Sequence, residues 1–281
     1  MLTAQSASPI DYFIVDGMYV AARSFFATPP LTAPDGTPTG CLHGFLGAME
    51  RALRDLKPRH VVIANEGHRG VRDALFSDYK AQRKEFPDEL KHQLGILFPL
   101  CRHLGWSVLA YEGTEADDVI ASICSQWTGT KAIFTTDKDL QTLVDDTTFI
   151  YKREKKKSLL LTREDITAKW GVAPKAIAEI LTLSGDTSDN IPGIRGIGLK
   201  TATQLVQKYG TAANVMLHLD ELPLLRGRLE AGAKSLALSR QLVQLNACLP
   251  VSLQEAPDPA AAQTMFSRLN MKKAQTTWGI S

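Results

Sequence analysis

Acidic residues recur in this chain at places where carboxylates can do metal chemistry. Asp16 follows the apolar run Tyr12 to Val15. Glu115, Asp117 and Asp118 open a segment of helical pattern, and Asp137 and Asp139 follow the apolar run Ala132 to Thr135. Asp186 and Asp189 share the loop Ser184 to Asn190. Taken singly, each has a structural explanation: Glu115 and Asp117 oppose the positive end of a helix dipole, and Thr114 with Asp117 resembles a capping box. Asp137-Lys138-Asp139 fits a turn, and Asp186 fits a helix terminator. Taken together, eight carboxylates converging on one crevice could not all ionise without cations. Hard oxygen ligands of this kind suit Mg²⁺ or Mn²⁺ rather than zinc, and no cysteine or histidine cluster competes. Two such ions, about 4 Å apart, activate a water and stabilise the leaving oxygen of a phosphodiester. No GxSxG elbow, Walker-type loop or dinucleotide fingerprint is present, which disfavours acyl hydrolases, nucleotide triphosphatases and dehydrogenases.

A second chemical signal lies in Asn190 to Ala202. Pro192 and Gly193 end one helix, Gly196 and Gly198 permit a tight turn with exposed amides, and the next helix begins near Leu199. Its dipole and amides face whatever occupies the turn, and Lys200 adds charge. This helix–hairpin–helix pattern suits gripping a DNA backbone without reading bases, through Gly193, Arg195, Gly196, Gly198 and Lys200.

These residues need a scaffold. Short apolar runs at Tyr12 to Val15, His60 to Ile63, Ser107 to Ala110 and Ala132 to Thr135 read as buried strands. Amphipathic segments alternate with them, at Leu42 to Leu56, Leu90 to Leu104 and Glu115 to Gln126. That alternation predicts an α/β fold with a mostly parallel central sheet flanked by helices, and a parallel sheet places ligands beyond the C-terminal ends of its strands. After about Thr162 the pattern becomes helical. We expect an α/β domain over 10–175 and a helical region over 176–281 carrying the hairpin. Two basic stretches, Arg69 to Lys84 and Tyr151 to Lys157, read as solvated excursions, the second as a wet loop or helix face.

Of the 281 residues, 44% are hydrophobic and 22% charged, with a net charge of only +2, so any nucleic-acid contact must use locally concentrated positive charge. Cys41, Cys101, Cys124 and Cys248 sit far apart in apolar stretches, as free thiols in a reducing compartment do. No apolar run reaches membrane-spanning length, and Met1 to Ser8 lacks the basic and apolar regions of a secretory signal. A cytoplasmic, monomeric, soluble protein is the expectation.

The motifs IVDG (Ile14 to Gly17), YKAQR (Tyr79 to Arg83), EADD (Glu115 to Asp118), TTDKDL (Thr135 to Leu140) and GDTSDNIPGIRGIGLKTA (Gly185 to Ala202) occur in that order. Together they resemble the 5′-nuclease family found at the N-terminus of bacterial DNA polymerase I and in stand-alone bacterial and phage 5′→3′ exonucleases. The resemblance runs from about Tyr12 to about Ile280, and it implies that the chain ends before any polymerase or proofreading module. It further implies a Mg²⁺- or Mn²⁺-dependent 5′→3′ exonuclease and flap endonuclease. The substrates would be DNA 5′ ends and flaps, in replication or repair. Asp16, Glu115, Asp117 and Asp137 would lie near a first ion, with Asp118, Asp139, Asp186 and Asp189 completing or supporting a second. Arg23 would face the substrate. Tyr79 to Arg83 would belong to a helical arch in which Lys80 and Arg83 steer the scissile phosphate and Tyr79 stacks on an unpaired base. In relatives such a hairpin often binds K⁺.

The chain departs from the family pattern at one position. Where relatives carry an aspartate seven residues before the arginine that is Arg72 here, which the resemblance places among the DNA-binding residues, this chain has Asn65. A neutral oxygen there should hold metal more weakly. Neighbouring Glu66 would point elsewhere unless the strand has already ended. Asn65 therefore motivates an alternative, a structure-specific DNA-binding protein with impaired catalysis. An RNA-directed nuclease of similar fold is a third reading.

Overall fold

The computed structural model describes residues 9–67, 70–154 and 157–279. A six-stranded sheet forms its centre, in the order β3-β2-β1-β4-β5-β6. The strands are β1 (Tyr12–Asp16), β2 (His60–Ala64), β3 (Ser107–Leu109), β4 (Lys131–Phe134), β5 (Thr148–Glu154) and β6 (Lys157–Leu161). The first five are parallel, and β6 pairs antiparallel with β5. β1, β2 and β4 bury nearly every residue because helices cover both faces, as the apolar runs predicted.

One face is covered by α1 (Gly17–Ala27), α2 (Gly40–Leu56) and α4 (Asp88–His103), packed on Phe13, Val15, Val61 and Ile63. The other face carries α5 (Ala116–Gln126), whose Val119, Ile120 and Ile123 meet Ile14, Val62 and Ile133. This second core runs on into the helical region through α7 (Ile177–Ser184), α8 (Leu199–Tyr209), α9 (Ala212–Leu217), α10 (Arg226–Ala231) and α11 (Ala233–Val243). Short helices α3 (Val71–Leu75) and α6 (Arg163–Trp170) complete the connections. The final helices, α12 (Pro259–Arg268) and α13 (Lys272–Thr277), return to the first face, where Phe266, Leu269 and Met271 join the core of α1, α2 and α4.

Two expectations are corrected here. The stretch Tyr151 to Lys157 is not a wet loop or helix face. It spans the end of β5 and the start of β6, and Tyr151 is fully buried with its hydroxyl 3.0 Å from Asp55 Oδ2 on α2. Strand alternation hides one apolar side behind the run of charges. Of that stretch, Lys155 and Lys156 lie outside the described residues, as do Met1 to Ser8, Arg69 and Ile280. The helix cap before α5 is also shifted by one residue. Glu115 and Asp118, not Thr114 and Asp117, form the capping box. Among the described residues no helix is long and apolar enough to cross a membrane.

Candidate active site

The strand order reverses direction between β1 and β4, and crossovers leaving these strands diverge to opposite faces, opening a crevice beyond their C-terminal ends. Asp16 is the last residue of β1 and the N-cap of α1. Its Oδ1 accepts the Tyr19 N–H at 3.1 Å, and its Oδ2 accepts the Thr135 hydroxyl at 3.1 Å from the β4 side. Gly17 lets α1 start this close to β2, since a Cβ there would stand 2.9 Å from the Ala64 carbonyl oxygen. Asp137 follows β4. Its N–H donates to Thr135 Oγ1 at 3.0 Å, and its Oδ1 accepts the Asp139 N–H at 2.8 Å.

Two cavities meet at this crevice. The larger, about 910 Å³, is lined by the carboxylates Asp16, Glu66, Glu115, Asp117 and Asp137 and by Arg23, Lys80, Arg83 and Lys84, with the Glu85–Lys91 ion pair also on its wall. The smaller, about 220 Å³, is lined by Asp139, Asp186 and Asp189 and shares Arg83, Thr136 and Asp137 with the first. Burial raises the Asp16 pKa to about 6, helped by the charges of Asp137 and Glu66 and opposed by its two hydrogen bonds. Burial, with Asp137 and Asp189, raises Asp139 to about 7. Asp117 is pushed well above the usual carboxylate range, by burial first and then by Asp137 and Asp16. Crowded, desolvated acids of this kind hold protons unless cations replace them.

Side-chain cations supply part of that neutralisation. Lys80 is 5% exposed, with Nζ 2.6 Å from Glu115 Oε1 and 3.8 Å from Asp189 Oδ2. Arg83 pairs with Asp189 Oδ1, and Lys138 Nζ lies 2.6 Å from Asp186 Oδ2. The backbone reinforces the arrangement, because the Lys80 N–H donates to the Asp189 carbonyl at 3.1 Å and Asn190 Nδ2 donates to the Asp78 carbonyl at 2.8 Å. Residues 78–83 are thus held as turns against the Asp186–Asn190 loop.

The donor set fits divalent ions. Carboxylate oxygens of Asp139, Asp186 and Asp189 all lie within 4.8 Å of one another. Asp139 Oδ1 is buried without a hydrogen-bond partner, and an unpaired buried oxygen in an all-oxygen cluster is what a hard cation would satisfy.

Several expected site residues sit elsewhere. Asn65 does not line either cavity and Glu66 does, because β2 ends at Ala64 and the alternation of side chains ends with it. Gly67 was the overlooked signal. A Cβ there would stand 1.9 Å from the Tyr111 carbonyl oxygen, so right after Glu66 the chain passes against the Tyr111 backbone, where only glycine fits. Asp118 is not a free ligand. Its Oδ2 and Oδ1 each accept from Arg72 at 2.8 Å, and Oδ1 also accepts the Asn246 N–H at 2.9 Å. Arg72 is accordingly turned inward, since it further donates to Glu115 Oε2 at 2.8 Å and to the carbonyls of Leu242 and Gln244. Tyr79 is 4% exposed with its hydroxyl donating to Glu115 Oε2 at 3.1 Å, so its ring presents no stacking face in this arrangement.

In the helix–hairpin–helix, Gly193 is buried and donates its N–H to Ser239 Oγ at 2.9 Å. At φ +57° a Cβ there would stand 2.2 Å from the Gly185 nitrogen, so glycine is needed there for tight packing. Arg195, Gly196, Gly198 and Lys200 remain exposed at the start of α8, where Gly196 has φ +83°. Arg23 is exposed at the mouth of the larger cavity.

Comparison with known proteins agrees with this geometry. Residues 11–171 match the family model described as 5′-3′ exonuclease, N-terminal resolvase-like domain, and 172–264 match 5′-3′ exonuclease, C-terminal SAM fold. The chain is 33% identical over 270 residues to a 5′-3′ exonuclease of Aquifex aeolicus, covering 92% of each. It is 36% identical over 275 residues to the thermostable DNA polymerase I of Thermus thermophilus, covering 95% of this chain but 33% of the polymerase. A bacteriophage T5 flap endonuclease, solved as a pseudo-enzyme-product complex with DNA and metal ions, has the same fold. Its TM-score is 0.67 at 18% identity, over 96% of this chain and 98% of that one.

Proposed function

The chain belongs to the 5′-3′ exonuclease family, and from that premise we propose that it is a divalent-metal-dependent 5′→3′ exonuclease and flap endonuclease acting on DNA. The observation that carries this reading is the pair of adjoining acidic cavities sharing Asp137 at the ends of β1 and β4. Asp16, Glu66, Glu115, Asp117 and Asp137 would hold one ion, and Asp139, Asp186 and Asp189 a second, with Mg²⁺ as the physiological ion and Mn²⁺ a substitute. Such ions, when bound, lower the pKa of water and stabilise developing charge on oxygen.

The protein's own groups have distinct tasks. Lys80 and Arg83, now paired with Glu115 and Asp189, turn their charge to the scissile phosphate and stabilise charge developing there. Arg23 meets the strand at the cavity mouth. Arg195, Gly196, Gly198 and Lys200 grip a duplex backbone, with K⁺ bound in that turn. We assign the nuclease unit to 10–175 and the DNA-holding region to 176–281, and take the protein to act as a cytoplasmic monomer. The reading as a catalytically impaired DNA-binding protein rested on Asn65, and Glu66 in the cavity removes its motive.

The test is incubation of a 5′-labelled flap duplex with the protein in chelator, Mg²⁺ or Mn²⁺. Release of short 5′ products only with metal is expected. Unchanged substrate under all three conditions rejects the proposal.

A further inference from the structure

Beyond the cavity mouth the chain gathers arginines on one side of the molecule. Arg23 on α1 donates through Nη1 to Tyr19 Oη at 3.2 Å and through Nη2 to the Arg153 carbonyl on β5 at 3.1 Å, which ties the β5–β6 hairpin to the mouth. Arg153 lies two residues after Tyr151 and so shares its face of the sheet. That face looks onto α2, since both the Tyr151 and Ser158 hydroxyls meet Asp55 Oδ2, at 3.0 and 2.6 Å. Arg51 stands one helical turn before Asp55 on α2. Its pKa is lowered by partial burial first and then by the neighbouring charge of Arg153, with Arg54 adding to the effect.

Among the described residues, none of Arg23, Arg51, Arg54 and Arg153 makes an ion pair with a carboxylate. Arg72, Arg83, Arg163, Arg226 and Arg240 all do. Two carboxylates of α2 lie nearby: Asp55, whose Oδ2 accepts from two hydroxyls, and Glu50, whose charge partly offsets the effect of Arg153 on Arg51. Like charges held together without direct ion pairs raise the local potential and favour a polyanion.

We propose that Arg153 and Arg51, with Arg54 beyond them, continue from Arg23 as a phosphate track. It would run out of the cavity over α2 and the β5–β6 hairpin and hold the DNA backbone past the phosphate being cut. This rests on the reading of the cavity as a nuclease site. The track carries no base-edge readers of its own, so it binds independently of sequence and is strongly salt-dependent.

The test uses the full chain carrying R51E and R153E together, with the conservative R51K/R153K pair as control. DNA affinity is read by fluorescence anisotropy in chelator across a salt series, and cleavage at saturating flap substrate in Mg²⁺ at low salt. Charge reversal should raise Kd at least about tenfold at low salt and reduce the slope of log affinity against log salt. The reduction is about 1.4 if the track holds single strand and about 1.8 if it holds duplex, for two contacts. The lysine pair should keep the parent slope, and kcat should stay within twofold of the parent. Shortening the single-stranded arm or the duplex arm should erase the difference between parent and reversed variant for whichever arm lies on the track. An unchanged Kd and slope in the reversed variant overturns the proposal, and so does a difference that survives shortening of both arms. Because affinity is read without metal, a parent chain that cut no DNA would reject the nuclease reading while the slopes still judged the track.

Discussion

Lys138 Nζ stands 2.6 Å from Asp186 Oδ2, so a tethered ammonium lies against the cluster whose third member, Asp139, holds an unpartnered buried oxygen. The lysine holds the Asp186 carboxyl below the usual carboxylate range against burial. It therefore acts as an internal counter-ion that any divalent cation must displace or share.

Lys138→Met should bind Mn²⁺ more tightly by about threefold to fivefold, the equivalent of up to about 1 kcal/mol for a partly exposed ion pair. In chelator the same variant should be less stable than the parent, because Asp186 loses its ion pair within a crowded acidic cluster. Calorimetric titration and urea denaturation read the two effects. Weaker Mn²⁺ binding in the variant would show that the lysine helps to build the site rather than compete for it.

Glu66→Gln should weaken divalent binding by at least about tenfold, as loss of a charged oxygen from a metal site does, and lower cleavage at limiting Mg²⁺. Asn65→Asp should change affinity by less than about twofold, since Asn65 does not line the cavity. Metal titrations in which N65D gains affinity and E66Q keeps it would reverse this assignment.

Asp16 and Asp139, raised by burial to about 6 and about 7, keep protons in the native state that the unfolded chain has released above a pKa of 3.8. The native state thus binds more protons between pH 4 and 7, and metal-free stability should fall as pH rises through that window. Asp118 and Asp186 shift the opposite way, so their effect lies below pH 4. Divalent ions should reverse the trend, adding about 2.7 kcal/mol at a hundred times Kd near pH 7.5 and much less at pH 5, where protons compete. Denaturation at both pH values, in chelator and in Mg²⁺, checks the sign. Stability in chelator that rises from pH 5 to 7.5 would contradict it.

Asp16, Asp117, Asp137, Asp186 and Asp189 were legible in the sequence because strand ends and one loop place them, and the order of apolar runs already names the strands. Glu66 was not legible, since its position turns on whether β2 ends one residue earlier or later, and a one-residue change reverses which side chain faces the crevice. The hairpin of β5 and β6 was hidden for a related reason. Lys152 and Arg153 dominate the string, and only the paired register shows that Tyr151 is core. Asp118 and Arg72 misled in another way. Their pairing spans 46 residues and depends on the C-terminal end of α11 arriving beside α5, which no local pattern predicts.

That pairing gives the last prediction. Arg72 satisfies both oxygens of Asp118, one oxygen of Glu115 and the carbonyls of Leu242 and Gln244, so it joins α3, the start of α5 and the end of α11 in one node. Removing one partner of a buried ion pair leaves the other charge unpaired and typically costs about 3–5 kcal/mol. Arg72→Gln should lose that much in urea denaturation, while Arg72→Lys recovers only part, because an ammonium cannot span two carboxylates and two carbonyls as the guanidinium fork does. If Arg72 instead contacted DNA, Arg72→Gln would be nearly as stable as the parent and would flatten the salt dependence of binding by about one phosphate contact. A loss under about 1 kcal/mol together with a flattened salt slope would therefore move Arg72 from the fold to the substrate.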